Sequence, residues 1–423
     1  MFLLLILSGL GLYLFMHFGK GKIEIPELVN QIKTLADSDT TAPDTTAFEL
    51  PPAPEEVPSS EELFSFAEQT PEEPTGEKSN NLDNFDIEAH LQLMRQNANR
   101  YNYKMAYKHG ARIVGFLLAN PELNAEWGHI LLEAGKPQEA VSALQKITSK
   151  DTVKSEVAID MAFAMLRSGN ADGAIEFLDD KIKNNNNVDL FAAKAAIIGE
   201  QPDTTRYAAA EQIFLRCMKS GKPSLNADYW YGRFLMQRGN YQNSKTYLER
   251  AANAKPNEPR YIARLGMAEF YLKQDLNAET LYKRALRINP YDYNTWFNLG
   301  ELYLSRANES GSSLDIRQKT RQALESYLKA IENDSLHAMA NYRIGLILNG
   351  NGMHKEAVKH LIIALERIPG NIPIMQQLSS AYIKIGDTTK SVNYLEIILQ
   401  IDPFNKVAAN EFNRIKKLRT ENL

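Results

Sequence analysis

The stretch AETLYKRALRINPYDYNTWFNLGELYL, from Ala278 to Leu304, decides the fold. Two segments with helical spacing meet at Pro290. Proline donates no backbone N–H and disfavours helical geometry in the residue before it, so one helix ends there and another begins just beyond. Small residues stand among large ones: Ala278 and Ala285 beside Tyr282, and Gly300 beside Trp296, Leu299 and Tyr303. Two antiparallel helices that approach closely need a small residue on each at the crossing point, with large neighbours to fill the space beside it.

The same order recurs along the chain. Ala106, Ala140, Ala174, Ala210, Ser244, Ala278, Ala323, Ala357 and Ser391 open the second helix of successive pairs, at intervals of 34, 34, 36, 34, 34, 45, 34 and 34 residues. Gly128, Ala162, Gly232, Gly266, Gly300, Gly345 and Ser379 form a second series in the first helices, each twelve before its partner except Gly300, where an insertion intervenes. Pro256, Pro290, Pro369 and Pro403 follow the first series by twelve. One such pair cannot bury its apolar face alone, so pairs stack into a continuous core.

The pattern resembles the tetratricopeptide repeat family. Trp296, Leu299, Gly300, Tyr303, Ala323, Tyr327 and Ala330 match its motif in one repeat, and Gly345, Ala357, Leu361, Ala364 and Pro369 in the next. The resemblance covers about 87–405 and is weakest in the first repeat and at 191–224. It implies an all-α, right-handed superhelical solenoid of about nine helix-turn-helix repeats, near 87–120, 121–154, 155–190, 191–224, 225–258, 259–292, 293–337, 338–371 and 372–405. The repeat at 293–337 carries eleven extra residues around Ser305 to Arg317, read as a loop or a lengthened helix pair. Beyond Pro403, Lys406 to Arg419 reads as a capping helix with Val407, Phe412 and Ile415 on its covering side, within a terminal segment 406–423.

The sequence before the repeats has different physics. Phe2 to Phe18 carry no formal charge. At 1.5 Å per residue they reach about 26 Å, just enough to cross a bilayer core of about 30 Å with help from the ends. No basic residue precedes the run and no small-x-small site follows it, so 1–19 reads as an uncleaved transmembrane anchor rather than a signal peptide. Lys20 and Lys22 follow it directly, which places the repeats in the cytoplasm and the N-terminus outside; the opposite topology is the alternative. After a juxtamembrane segment 20–37 comes 38–85, with seven prolines, twelve acidic residues and one basic, for a charge of −11. Such a segment reads as a disordered tether. Its one aromatic cluster is EELFSFAE, Glu61 to Glu68, either a chance cluster or a short docking motif. Residues 1–37 sum to zero and the whole chain carries −4, so the body from 86 onward carries +7. A basic body on an acidic tether predicts salt-sensitive folding back of the tether onto the body.

No catalytic constellation is visible. The seven histidines are scattered, there is no nucleophile elbow or phosphate loop, and the single cysteine, Cys217, falls near a buried helix position. The reading is of a non-enzyme without cofactor, metal, small-molecule substrate or nucleic-acid partner. What remains is a surface. The resemblance implies that positions 2, 5, 6, 9 and 13 of each repeat face a concave groove. Counted so, the candidates for binding are Tyr229, Trp230, Arg233, Arg260, Arg264, Tyr271, Asn294, Asn298, Tyr342 and Arg343. Amides, arginines and rings of this kind suit an extended peptide, acidic ones included. Asn298 and Arg343 also match two places of the family's clamp for a partner's C-terminal carboxylate, but Ala263, Met267 and Met339 break the rest of that pattern. The expected function is a membrane-tethered scaffold that gathers proteins or peptides at a lipid bilayer reached through residues 2–18, in bacterial envelope or secretion biogenesis. The alternatives are a targeting or import receptor for precursors and an exported envelope-assembly protein.

Overall fold

The computed structural model describes residues 84–149, 153–185, 187–201, 204–220 and 224–421. The expected anchor and juxtamembrane segment, and nearly all of the segment expected to be an acidic tether, lie outside them. Among the described residues no helix is long and apolar enough to cross a membrane. Regular structure there is helical throughout, and the chain divides after Tyr291 into two compact units.

The unit ending at Tyr291 holds α1 (Asn84–Asn99), α2 (Tyr103–Arg112), α3 (Val114–Ala119), α4 (Pro121–Glu133), α5 (Pro137–Thr148), α6 (Ser155–Arg167) and α7 (Ala171–Asn184). It continues with α8 (Val188–Glu200), α9 (Tyr207–Lys219), α10 (Leu225–Gln237), α11 (Tyr241–Ala254), α12 (Pro259–Tyr271) and α13 (Asp275–Ile288). The second unit holds α14 (Tyr293–Glu309), α15 (Ser313–Asn333), α16 (Ala338–Gly350), α17 (His354–Arg367), α18 (Ile372–Ile385), α19 (Thr388–Ile401) and α20 (Lys406–Glu421). Within each unit, helices consecutive in the chain pack as hairpins.

The small-residue registers mark the crossing points. All nine members of the series from Ala106 to Ser391 are 0% exposed. Opposite them, a Cβ on Gly128 would lie 2.2 Å from Leu144, on Gly232 2.7 Å from Leu248, on Gly266 3.0 Å from Tyr282 and on Gly345 2.6 Å from Leu361. In each case the facing residue stands sixteen positions on, so the packing repeats as the sequence does. Where serine replaces alanine, its hydroxyl is satisfied inside the hairpin. Ser244 donates to the Gly232 carbonyl at 2.7 Å, and the hydroxyls of Ser379 and Ser391 bond each other at 2.8 Å. The four prolines each sit two residues beyond a helix end.

The eleven inserted residues lengthen a hairpin. α14 has 17 residues against 13 in α12, and α15 has 21 against 14 in α13, so four go to one helix and seven to the other. The facing pair survives the insertion, because Gly300 meets Tyr327. At the C-terminus α20 covers α19, but with a different stripe from the expected one. Ala408 and Ile415 are buried, whereas Val407 is 67% exposed. Positions 408, 412 and 415 follow helical spacing; position 407 falls off that face.

One buried histidine couples the second unit to pH. Asn341 donates its amide to the carbonyls of Ser335 at 2.9 Å and His337 at 3.1 Å, so its oxygen faces His360 Nδ1 at 2.9 Å as an acceptor. Nδ1 therefore carries the ring proton. Burial, with Lys359 nearby, pushes the imidazole down to about 4. This folded value lies below an unfolded one of about 6.5, so the stabilisation is complete above pH 6.5 and is lost as pH falls towards 4. Between pH 7 and 4 this group is expected to cost residues 292–421 roughly 3 kcal/mol. The check is urea unfolding followed by Trp296 fluorescence, with His360→Gln flattening the pH dependence.

Candidate functional site

The candidate surface is built from the first helices of the hairpins. In the first unit, α4 packs on α6, α6 on α8, α8 on α10 and α10 on α12. Polar pairs stitch successive first helices. Arg95 on α1 holds Glu126 on α4 through both carboxylate oxygens, Nε to Oε1 at 3.0 Å and Nη2 to Oε2 at 2.9 Å. His129 on α4 meets Asp160 on α6 at 3.0 Å, and Arg233 on α10 meets Glu200 on α8 at 2.9 Å. In the second unit Arg343 on α16 takes Glu301 on α14 in a fork, both bonds at 2.8 Å. The sequence separations are 31, 31 and 33, and 42 across the insertion.

This ladder reassigns several of the expected groove residues. Arg233 and Arg343 face carboxylates of the preceding first helix. Arg343 also lies 5.8 Å from the Tyr342 ring. Tyr271 stacks on Tyr241 at 4.5 Å and an angle of 8°. Tyr229 packs on Tyr261 at 4.8 Å, with Arg233 5.8 Å over its ring. Trp230 is not at the surface: it is only 9% exposed and packs on Phe163 at 5.5 Å. One residue of slack in the register rotates a helical position by about 100°, enough to turn Tyr229 outward and Trp230 inward. Arg264 reaches the Met267 sulfur at 3.4 Å. Asn294 is exposed and Asn298 half-buried.

Arg260 is different. Its side chain is 52% exposed, yet it stands among groups from distant hairpins. Nε donates to Glu258 at 3.0 Å, and Nη1 lies 3.9 Å from Glu133 of α4, four hairpins earlier. Burial opposes its charge, but Glu133, Glu258 and Tyr229 more than offset this and raise its pKa. Its field reaches the phenols of Tyr101 and Tyr103, both pushed up, chiefly by burial. Tyr103 packs edge-on to His129 at 6.1 Å. Burial would lower the His129 pKa, but Asp160 and Glu133 override it and raise the value, so the ring holds its proton more firmly than a free imidazole.

Sequence reasoning missed Tyr101, Tyr103, His129 and Glu133. A signal for Tyr101 exists. Gly135 and Gly169, 34 and 68 residues on, hold φ of 76° and 87° at the equivalent turn, while Tyr101 holds 61° there. A bulky residue in the left-handed region costs about 1–3 kcal/mol and persists only where its surroundings impose it. The cluster that results combines a half-exposed arginine, two carboxylates and three phenols. It can accept and donate hydrogen bonds along an extended backbone and pair with a carboxylate.

Elsewhere the chemistry is muted. Cys217 is buried, its thiol pushed up to about 11 chiefly by burial. Among the described residues no three His, Cys, Asp or Glu side chains converge as a metal site would need.

Family models of the tetratricopeptide repeat match residues 131–197, 229–258, 281–324, 310–372 and 372–405. The chain is 23% identical over 281 residues to the peroxisomal targeting signal receptor of Kluyveromyces lactis, covering 64% of this chain and 45% of that one. It is 26% identical over 140 residues to Superkiller complex protein 3 of Homo sapiens, covering 31% of this chain and 8% of that one. The chain thus spans less than half the length of these relatives. Among solved structures it is similar to YrrB, described as a TPR protein with an unusual peptide-binding site, at 16% identity and a TM-score of 0.37, covering 47% of this chain and 96% of that one.

Proposed function

We propose that this chain, a carrier of tetratricopeptide repeats, is a scaffold that binds an extended segment of a partner protein on the first-helix face of the unit ending at Tyr291, and that residues 2–18 tether it to a bilayer. The observation that carries the reading is Arg260. The Arg260 side chain is half open to solvent, and its Nη1, 3.9 Å from Glu133, is too far for a direct hydrogen bond and within reach of a replacement carboxylate. An acidic side chain or chain end of the partner takes that place, while Tyr101, Tyr103 and Tyr229 pack its neighbours. The tether reading draws on the charge-free run at the N-terminus.

The test uses the full chain in its native membrane with a photo-crosslinking phenylalanine at Tyr229. The expected adduct is a single partner segment. Arg260→Glu places three carboxylates together and is expected to reduce its yield at least tenfold, without changing the helical signal. An undiminished adduct would sink the reading.

The similarity to a targeting signal receptor favours a second reading, in which the bound segment is a targeting signal. The two separate when the cross-linked segment is fused to an unrelated protein. Delivery of that protein to the membrane by the segment alone supports a receptor; capture that needs the rest of the partner supports a scaffold.

A further inference from the structure

An open cleft of about 450 Å³ shares no lining residue with the cluster around Arg260 and is lined by Tyr107, Val114, Leu118, Trp127, Leu131 and Ala143 among others. It exists because the second helix of the first hairpin breaks. At Ile113, with φ −119° and ψ 23°, the chain leaves α2 and starts the six-residue α3. Intact second helices such as α5 and α7 run for 12 and 14 residues. The break leaves the Tyr107–Trp127 stack, rings 5.7 Å apart and 7° from parallel, forming one wall. It also leaves Val114, Phe116 and Leu118 between 40 and 43% exposed within five residues. Singly exposed apolar residues need no explanation, but a cluster beside an apolar cleft does.

No lysine or arginine is among the lining residues, but α2 is basic beside Tyr107 and Ala111 of the lining. α2 reads YKMAYKHGAR, with Lys104, Lys108 and Arg112 on one helical stripe and no acid. Lys136 stands over the Tyr107 ring at 5.3 Å. Glu139 is the acidic residue among those lining the cleft. The complement is an apolar, aromatic segment flanked by acids.

The chain carries one, and it lies close by. EELFSFAE sets Leu63, Phe64 and Phe66 between Glu61, Glu62 and Glu68. The described structure begins at Asn84, the first residue of α1. α1 and α2 run antiparallel, with His90 and His109 in contact at 3.2 Å. Six residues before His90, the chain therefore enters beside the end of α2, the helix that carries Tyr107 and Ala111 of the lining. Phe66 stands eighteen positions before Asn84, a length that spans at most about 60 Å. Attachment so close to the site makes the local concentration of the segment high without any new contact.

We infer that residues 61–68 of this chain dock in the α2–α3–α5 cleft, with Phe64 and Phe66 against Trp127 and Tyr107 and the flanking glutamates towards Lys104, Lys108, Arg112 and Lys136. The inference is independent of the partner site at Arg260. It gives the acidic tether a fixed station on the array.

The full chain in phospholipid nanodiscs, with a photo-crosslinking phenylalanine at Phe64, tests this. Irradiation is expected to join residue 64 to peptides within 103–149 of the same chain. Leu118→Glu changes an exposed rim residue, so the fold persists, and it is expected to lower that adduct at least fivefold. Hydrogen exchange at 114–118 supplies a second readout: Phe64→Asp with Phe66→Asp is expected to speed it at least fivefold. Adducts elsewhere in the array, adducts between isotopically distinct copies, no adduct, or indifference to both variants would each overturn the assignment.

Discussion

Gly300→Val is expected to cost residues 292–421 about 3–5 kcal/mol, whereas Gly311→Ala, eleven residues later in the same hairpin, is expected to change stability by less than about 0.5 kcal/mol. A Cβ on Gly300 would stand 2.5, 2.7 and 2.9 Å from three carbons of the Tyr327 ring. Nothing lies within 4 Å of a Cβ on Gly311. The Tyr327 ring cannot swing aside. It is fully buried, packs on Phe297 at 5.6 Å, and its hydroxyl donates to Glu301. Valine must therefore force the two helices apart at their crossing point or expel the ring. Both routes add a broken buried hydrogen bond to the cost of overpacking. Urea unfolding followed by Trp296 fluorescence and helical circular dichroism reads both variants. Equal midpoints for the two would show that the small-residue register does not set the hairpin crossing.

That register is the part of the molecule most legible in the sequence, and for a physical reason. A crossing point tolerates only a glycine, alanine or serine side chain in these registers, so the constraint falls on residue identity at single positions and repeats with the fold. The glycines opposite Leu144, Leu248, Tyr282 and Leu361 all follow from one rule. Groove residues carry a weaker mark. Whether an arginine faces a ligand or a carboxylate of the neighbouring hairpin depends on a partner some 30 residues away, and both roles use the same residue at the same helical position. Arg233 and Arg343 are of the second kind. Trp230 fails through register, since a tryptophan on a first helix serves core and groove equally well. Glu133 and Arg260 meet only because four hairpins bring α4 and α12 together within one unit. No local spacing encodes that approach. The strained turn at Tyr101 is the exception, visible as a tyrosine where the 34-residue count places glycines.

The network below Gly300 supplies the other large effect. Glu301→Ala is expected to destabilise residues 292–421 by about 2–4 kcal/mol, because it leaves two donors without their acceptor. The Tyr327 hydroxyl is buried, and burial together with the Glu301 carboxylate holds its pKa above the ordinary phenol value. Arg343 spends its fork on the same carboxylate at 2.8 Å, with about a quarter of its side chain open to water. That partial exposure keeps the estimate below the cost of a fully buried ion pair. Removing the whole network at once should cost far less. Glu301→Leu with Arg343→Met and Tyr327→Phe leaves no orphaned donor and keeps most of the volume, so its loss is expected to stay within about 1.5 kcal/mol. The comparison also decides what Arg343 does. If it served a ligand, Arg343→Met alone would weaken partner cross-linking and leave stability nearly intact. A structural arginine gives the opposite pattern: a lowered urea midpoint, partly restored by Glu301→Leu in the same chain, with the adduct at Tyr229 unchanged. Arg343→Lys should not rescue the midpoint, because a single ammonium cannot reproduce the two parallel bonds that join α14 to α16 across the insertion.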